Sequence, residues 1–257
     1  MTNVLLVGES WVSAATHFKG FDQFGSVTFH TGAKQFMSDM RDAGFNVTNM
    51  PAHEAAEAFP TTLEDLNDYD VIILSDIGAN TLLLHPDVWL RGERVPNRIA
   101  LIEEWTRKGG GLIMIGGYFS FQGIDGRARW HKTLVEKALP VNCLPGDDRL
   151  EIPEGAKPVV KAPNHPILAG VTGDWPYLLG VNEVELKNDA SVECVLELPE
   201  EQRGLPLLVT GQHGKGRTVA WTSDMSEHWL PPAFLAWPGY QTLFANMINW
   251  ASASHAN

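Results

Sequence analysis

The 257-residue sequence predicts an α/β fold built on a mostly parallel central sheet. Three observations lead there. Short runs rich in Val, Ile and Leu, without polar alternation, recur at Val4–Val7, Val71–Leu74, Leu112–Ile115 and Thr218–Thr222. Such runs read as strands covered on both faces, the ordinary state of a parallel sheet. Segments with helical spacing separate the first three, as parallel crossovers require. Each run also breaks without a spacer into polar residues: Gly8-Glu9-Ser10, Ser75-Asp76, Gly116-Gly117-Tyr118 and Ser223-Asp224. Ligands of open α/β sheets bind beyond the carboxyl ends of the strands, so one rim is predicted to carry Glu9, Asp76, Tyr118 and Asp224.

The first strand, Val4–Val7, leads into a segment from Trp11 to Thr31 rich in Gly, Phe and Ser, which its length predicts to be a functional loop. A helix is expected from Ala33 to Ala43, with Phe36, Met37 and Met40 on one face and Gly44 as its stop. Phe45–Met50 reads as the second strand, ended by Pro51. Thr62 and Asp65 form a capping-box pattern opening a short helix through Leu66. Pro96 or Asn97 opens a further helix in which Ile99, Ile102 and Trp105 recur at helical spacing. Arg107 and Lys108 suit its dipole end, and Gly109-Gly110-Gly111 closes it. From Pro140 to Pro206, prolines and short alternating runs such as Val192–Leu196 predict additional antiparallel or irregular β structure in the second half. A tight turn at Gln212–Gly216 precedes the last sheet strand, and a helix is expected from Tyr240 to Trp250. The chain reads as a single domain over 1–257, large enough to bury its core without disulfide or metal staples.

Hydrophobic residues at 44% and charged residues at 19% describe an ordinary globular protein. A net charge of −12, with Lys and Arg never clustered beyond a pair, argues against nucleic-acid binding, which needs a basic footprint. No apolar stretch approaches the roughly 18 residues that cross a bilayer. The two cysteines, Cys143 and Cys194, are too few for a secreted disulfide framework. Met1-Thr2-Asn3 runs into the first strand without a basic start, so a cytoplasmic protein is expected. The expected partner is a small-molecule ligand, with no nucleic acid, membrane or cofactor; a homo-oligomer stays open.

The sharpest chemical cluster is Asp224-Met225-Ser226-Glu227-His228-Trp229. His228 is the candidate general acid–base, since a histidine ordinarily titrates at about 6.5. Asp224 would orient its imidazole. Tyr118 follows two glycines where a strand should pass into a sharp turn, the way nucleophile elbows expose a side chain. It would serve as a hydrogen-bond donor. Glu9 is a second catalytic carboxylate whose pKa burial would raise. Ser10, His17, Asp76, Asn80, Gly117 and Trp229 are candidates for substrate contact. Trp11, Trp130, Trp229 and Trp237 fall in expected rim loops, where rings beside carboxylates make a sugar-binding surface. None of the nine histidines shows metal-motif spacing, so no metal is assigned; ligands drawn from separate strand ends stay open.

Val-Gly-Glu-Ser, Ser-Asp-Ile-Gly-Ala-Asn, Gly-Gly-Tyr-Phe-Ser-Phe-Gln-Gly and Ser-Asp-Met-Ser-Glu-His-Trp together resemble the glutamine amidotransferase-like family. That family lies within the class I glutamine amidotransferase superfamily and is related to trehalose-utilisation proteins. The resemblance spans Asn3 to Ala251 and implies a flavodoxin-like three-layer sandwich. Class I glutaminases carry Gly-x-Cys-x-Gly, with Cys as nucleophile. Alignment on Gly116-Gly117 puts Tyr118 in the Cys slot and Ser120 in the second Gly slot. The superfamily's His-x-Glu is likewise replaced by Glu227-His228. A phenol does not form the thioester of glutamine hydrolysis. The expectation is therefore an acid–base enzyme for a small polar or sugar-derived metabolite, not a glutaminase. A non-catalytic ligand-binding or assembly subunit is the competing class.

Overall fold

The computed structural model describes residues 1–253; the last four residues of the expected 1–257 domain lie outside the described residues. From the N-terminus come β1 (Asn3–Gly8), β2 (Ser10–Lys19), β3 (Asp22–Thr31), helix α1 (Lys34–Asp42), β4 (Asn46–Met50), β5 (Val71–Ser75) and β6 (Gly111–Ile115). β4 and β5 pair in parallel with β1 on its two sides, β6 continues from β5, and Gly216–Trp221 pairs in parallel with β6. In sequence order these five strands run 2-1-3-4-5, the flavodoxin-like arrangement. Three antiparallel strands from the second half, Pro206–His213, Glu193–Glu197 and Val159–Val160, extend the same sheet to eight. The α/β class, the mostly parallel sheet and the additional β structure in the second half are as the sequence predicts.

The sheet is covered on both faces because Val4–Val7 of β1, Val71–Leu74 of β5 and Leu112–Ile115 of β6 are apolar at every position. Val4, Leu6 and Ile73 face a cluster containing Phe36 of α1 and Phe244 of the Gly239–Ser252 helix. Leu5, Val7 and Leu74 face the opposite cluster, with Ile102 and Trp105 of the Arg98–Lys108 helix. Each such buried aliphatic contributes roughly 1.5–3 kcal/mol. Local signals place the helices: Thr62 accepts from the Asp65 N–H, and Asn97 accepts from the Ile99 and Ala100 N–H groups.

One expectation is corrected. The segment Trp11–Thr31 is not a loop but a ten-pair antiparallel ribbon of β2 and β3, from Ser10↔Thr31 to Lys19↔Asp22. Gly20 turns it at φ +64°. Alternation of Val12, Ala14 and Thr16 with polar or small neighbours is a strand pattern, and two ten-residue strands with a two-residue turn account for its length.

Candidate active site

β1 and β5 are neighbours where the strand order reverses, the switch point at which open α/β sheets bind ligands. The residues that follow them, Glu9 and Asp76, both sit in the left-handed region, at φ +50° and +45°. Non-glycine residues are uncommon there and cost energy unless the surroundings impose them. At Glu9 the imposition is visible. Its N–H donates to the Ser75 carbonyl at 2.8 Å, and Gly8, at φ +105°, lies where a Cβ would strike that same oxygen.

The Glu9 carboxyl is buried, accepting from Ser75 Oγ at 2.6 Å and from Ser226 Oγ at 2.9 Å. Burial pushes its pKa up to about 7, the Asp76 charge adds to the rise, and the two hydroxyls oppose it. Asp76 Oδ1 accepts from the Phe119 N–H at 2.7 Å, while its own N–H donates to Ser120 Oγ at 3.0 Å. Burial raises Asp76 too, against that N–H and the charge of His228. Asp224 Oδ1 accepts from the N–H groups of Met225 and Ser226 at 2.7 and 3.1 Å. Burial, then the charges of Glu9 and Asp76, holds Asp224 well above the carboxylate range. Three acids from three strand ends thus keep protons at pH values where exposed carboxyls have lost them.

The facing wall begins at Gly116-Gly117. Gly117 has φ +146°, and a Cβ there would meet Asp76 Oδ1 at 2.9 Å. Buried Asn182 brackets this turn, accepting from the Gly117 N–H at 2.9 Å and donating to its carbonyl at 3.2 Å. Asp148 accepts from the Gln122 and Gly123 N–H groups and from Asn182. Burial raises its pKa to about 6. Tyr118, so presented, donates its phenol proton to Glu151 Oε1 at 3.1 Å and lies 2.9 Å from His228 Nε2. A phenol has one proton, so with that proton directed at Glu151 the imidazole donates its Nε2–H to the phenol oxygen. The guanidinium of Arg149 sits 5.0 Å from the Tyr118 ring centre. The Trp229 indole stacks on His228 and donates to Glu151 Oε2 at 3.0 Å.

A cavity of about 430 Å³ is lined by Glu9, Asp76, Tyr118, Asp224 and His228, together with Trp11 and Phe119. The structure thus brings four strand ends together around one space. Two assumed pairings change: the partner of His228 is Tyr118 rather than Asp224, whose carboxylate is taken by its own turn, and the phenol proton is committed to Glu151. Gly117 and Trp229 stand directly behind the lining. Ser10 and Asn80 instead face a neighbouring groove, where Ser10 Oγ accepts from the Ala52 N–H at 2.8 Å and Asn80 belongs to the helix Ala79–Leu83. His17 lies far out on the ribbon, against Ser26 and Phe24. Trp130 is in the core, its indole donating to the Ile77 carbonyl at 2.9 Å, and Trp237 is nearly buried. Sequence reasoning passed over Glu151, Arg149, Asp148 and Asn182. The acidic run after Pro145-Gly146 was the available signal for the first three. Among the described residues no group of three or more His, Cys, Asp or Glu is placed to hold a metal ion.

A family model described as "Putative glutamine amidotransferase" matches residues 3–253. The chain belongs to this glutamine amidotransferase-like family. Two Salmonella typhimurium structures are similar throughout. Cytoplasmic Protein STM3548 is 40% identical, with TM-score 0.91 over 96% of this chain and 98% of that one. Cytoplasmic Protein STM1381, from strain LT2, is 39% identical, with TM-score 0.91 over 97% and 99%. A ThuA-like protein from Bacteroides uniformis, at 13% identity and TM-score 0.56 over 97% and 90%, shares the fold. No curated protein matches the chain.

Proposed function

We propose that this family member is a cytoplasmic acid–base enzyme acting on a small polar, sugar-derived molecule, without glutaminase chemistry. Glu9 carries the proposal: a buried carboxyl with its pKa at about 7, on strained backbone at the switch point of the sheet. A group titrating near neutral pH can both take and return a proton during turnover. His228, at φ +122°, adds a third strained residue to the same cavity, and such strain concentrates at functional sites. Environments that separate the titrations of neighbouring groups assign roles to them. Glu9 is the base; Asp224, raised further by the charges around it, is the acid; His228, held through Nε2 by Tyr118, which Glu151 holds in turn, is a third polar group at the cavity.

Hydroxyl groups suit this lining, because ionised carboxyls accept from them and protonated ones donate to them. The rings of Trp11 and Phe119 suit the apolar face of a sugar. Three acids disfavour an anionic ligand. Glutamine hydrolysis needs a thiolate, yet Cys143 is buried and its thiol pushed well up by burial and Glu136. Burial raises Cys194 to about 11. The two Salmonella relatives, described as cytoplasmic, support the location.

Turnover of a panel of sugars, sugar lactones and polyols, followed by proton NMR, tests the reading. Glu9→Gln should lower kcat by about 10²-fold or more with unchanged circular dichroism. The wild-type rate should rise with pH through about 7. Saturable binding without turnover would make the chain a ligand-binding subunit, and ammonia release from glutamine would overturn the exclusion.

A further inference from the structure

The β2–β3 ribbon presents an apolar face beneath most of which none of the described residues packs. Its register puts Val12 opposite Phe29, Ala14 opposite Val27, and Phe18 opposite Gln23 on one face. The other face carries Ser13, Thr28, Ala15 and Ser26, flanked by the stacked pairs Trp11–His30 towards the root and His17–Phe24 towards the tip. Among the described residues only the root is covered, where Phe29 meets His53 edge-on. Further out, Phe18 is 72% and Val27 73% exposed, and Phe21 at the tip is fully exposed. A two-stranded ribbon is marginal by itself in water, and one of about 33 Å with exposed apolar side chains along it needs a cover.

We propose that the cover is a second copy of this chain, the two ribbons being exchanged across a two-fold axis. Area, charge and fit each point to a like partner. At about 200 Å² per aromatic residue, the exposed side chains of the two ribbon faces and the tip together leave on the order of 800 Å² of apolar surface in water, the amount each partner loses in a standard interface. The chain carries −12 in total, but between Ser10 and Thr31 the charged residues are Lys19 and Asp22, which face each other. The ribbon is therefore neutral, the part of an acidic surface where two copies approach without repulsion. The same chain also offers an acceptor. Leu84 lines the groove at the ribbon root with Val12, and Trp89 and Leu90 nearby in sequence are 67% and 63% exposed. Tip into groove and groove over tip is the reciprocal contact that a two-fold interface requires. Because Trp11 and Val12 also line the active cavity, docking the ribbon would fix one wall of the site.

Sedimentation velocity of the full chain at about 50 μM should give twice the chain mass. The double variant Phe18→Asp/Val27→Asp should give a monomer with unchanged circular dichroism. A wild-type monomer at that concentration overturns the proposal, including one that binds lipid vesicles instead. So does a dimer that survives the double variant. Hydrogen exchange on the unmodified chain keeps the test decisive if the variant misfolds. Ribbon amides from 12 to 29 should become more protected as concentration rises from about 0.1 to 50 μM, and protection independent of concentration overturns the idea.

Discussion

Strands β1 and β2 are separated by one residue, Glu9, and differ almost completely in what covers them. Val4–Gly8 is buried throughout, whereas every residue from Trp11 to Lys19 is exposed. Both are rich in strand-forming residues. The difference is pattern: an unbroken apolar run demands neighbours on both faces, while an alternating one demands a neighbour on one. Glu9 sits at the junction, its left-handed backbone turning the chain out of the sheet and its carboxyl staying behind in the core. A buried acid at a forced turn is expensive, which is why its surroundings are so fully specified.

The contrast can be broken most strongly in β1. Leu5→Ala, at a fully buried position, should cost about 2–5 kcal/mol in urea denaturation. At the junction the test is pH. The folded Glu9 pKa, about 7, lies above the ordinary 4.5. Below 4.5 the carboxyl is protonated in both states and contributes nothing; between 4.5 and 7 only the folded state keeps the proton, so stability falls as pH rises, and above 7 the loss is complete. Glu9→Gln should remove this fall, gaining about 3 kcal/mol relative to wild type between pH 4 and pH 8. A wild-type stability curve with the same pH slope as the variant would refute the assignment.

Gly32→Ala sharpens the comparison from the ribbon's exit. A methyl there would press on Glu9 Oε1 and lie 2.6 Å from Ser226 Oγ, displacing their hydrogen bond. The expected loss is about 1–3 kcal/mol by thermal melting. The smallest effect belongs to β2. Phe18→Ala should change the stability of the sub-micromolar, dissociated chain by no more than about 0.5 kcal/mol. A loss comparable to that of Leu5→Ala would mean the ribbon packs within its own chain.

Much of the fold was legible because its signals are local. Unalternating runs named β1, β5 and β6, and capping residues such as Thr62 and Asn97 named helix starts. The ribbon was not legible as strands because small and polar residues dilute its alternation, and its apolar face has no partner among the described residues to explain it. Trp130 misled for a related reason: an aromatic in a predicted loop looks exposed, but this loop folds back on β5 and buries it.

By itself the sequence determined that Glu9, Asp76, Tyr118 and Asp224 stand at strand ends, since a strand's limits follow from its own residues and a parallel sheet gathers its carboxyl ends on one edge. Tertiary structure alone decided who touches whom. His228 is four residues from Asp224 and 110 from Tyr118, yet it bonds Tyr118, because Asp224 is satisfied first by the backbone of its own turn. Glu9 likewise takes its hydroxyl from Ser226, 217 positions away. Whether a carboxyl is a solvated anion or a neutral acid depends on the charges and dielectric around it, which the sheet assembles from strands far apart in sequence.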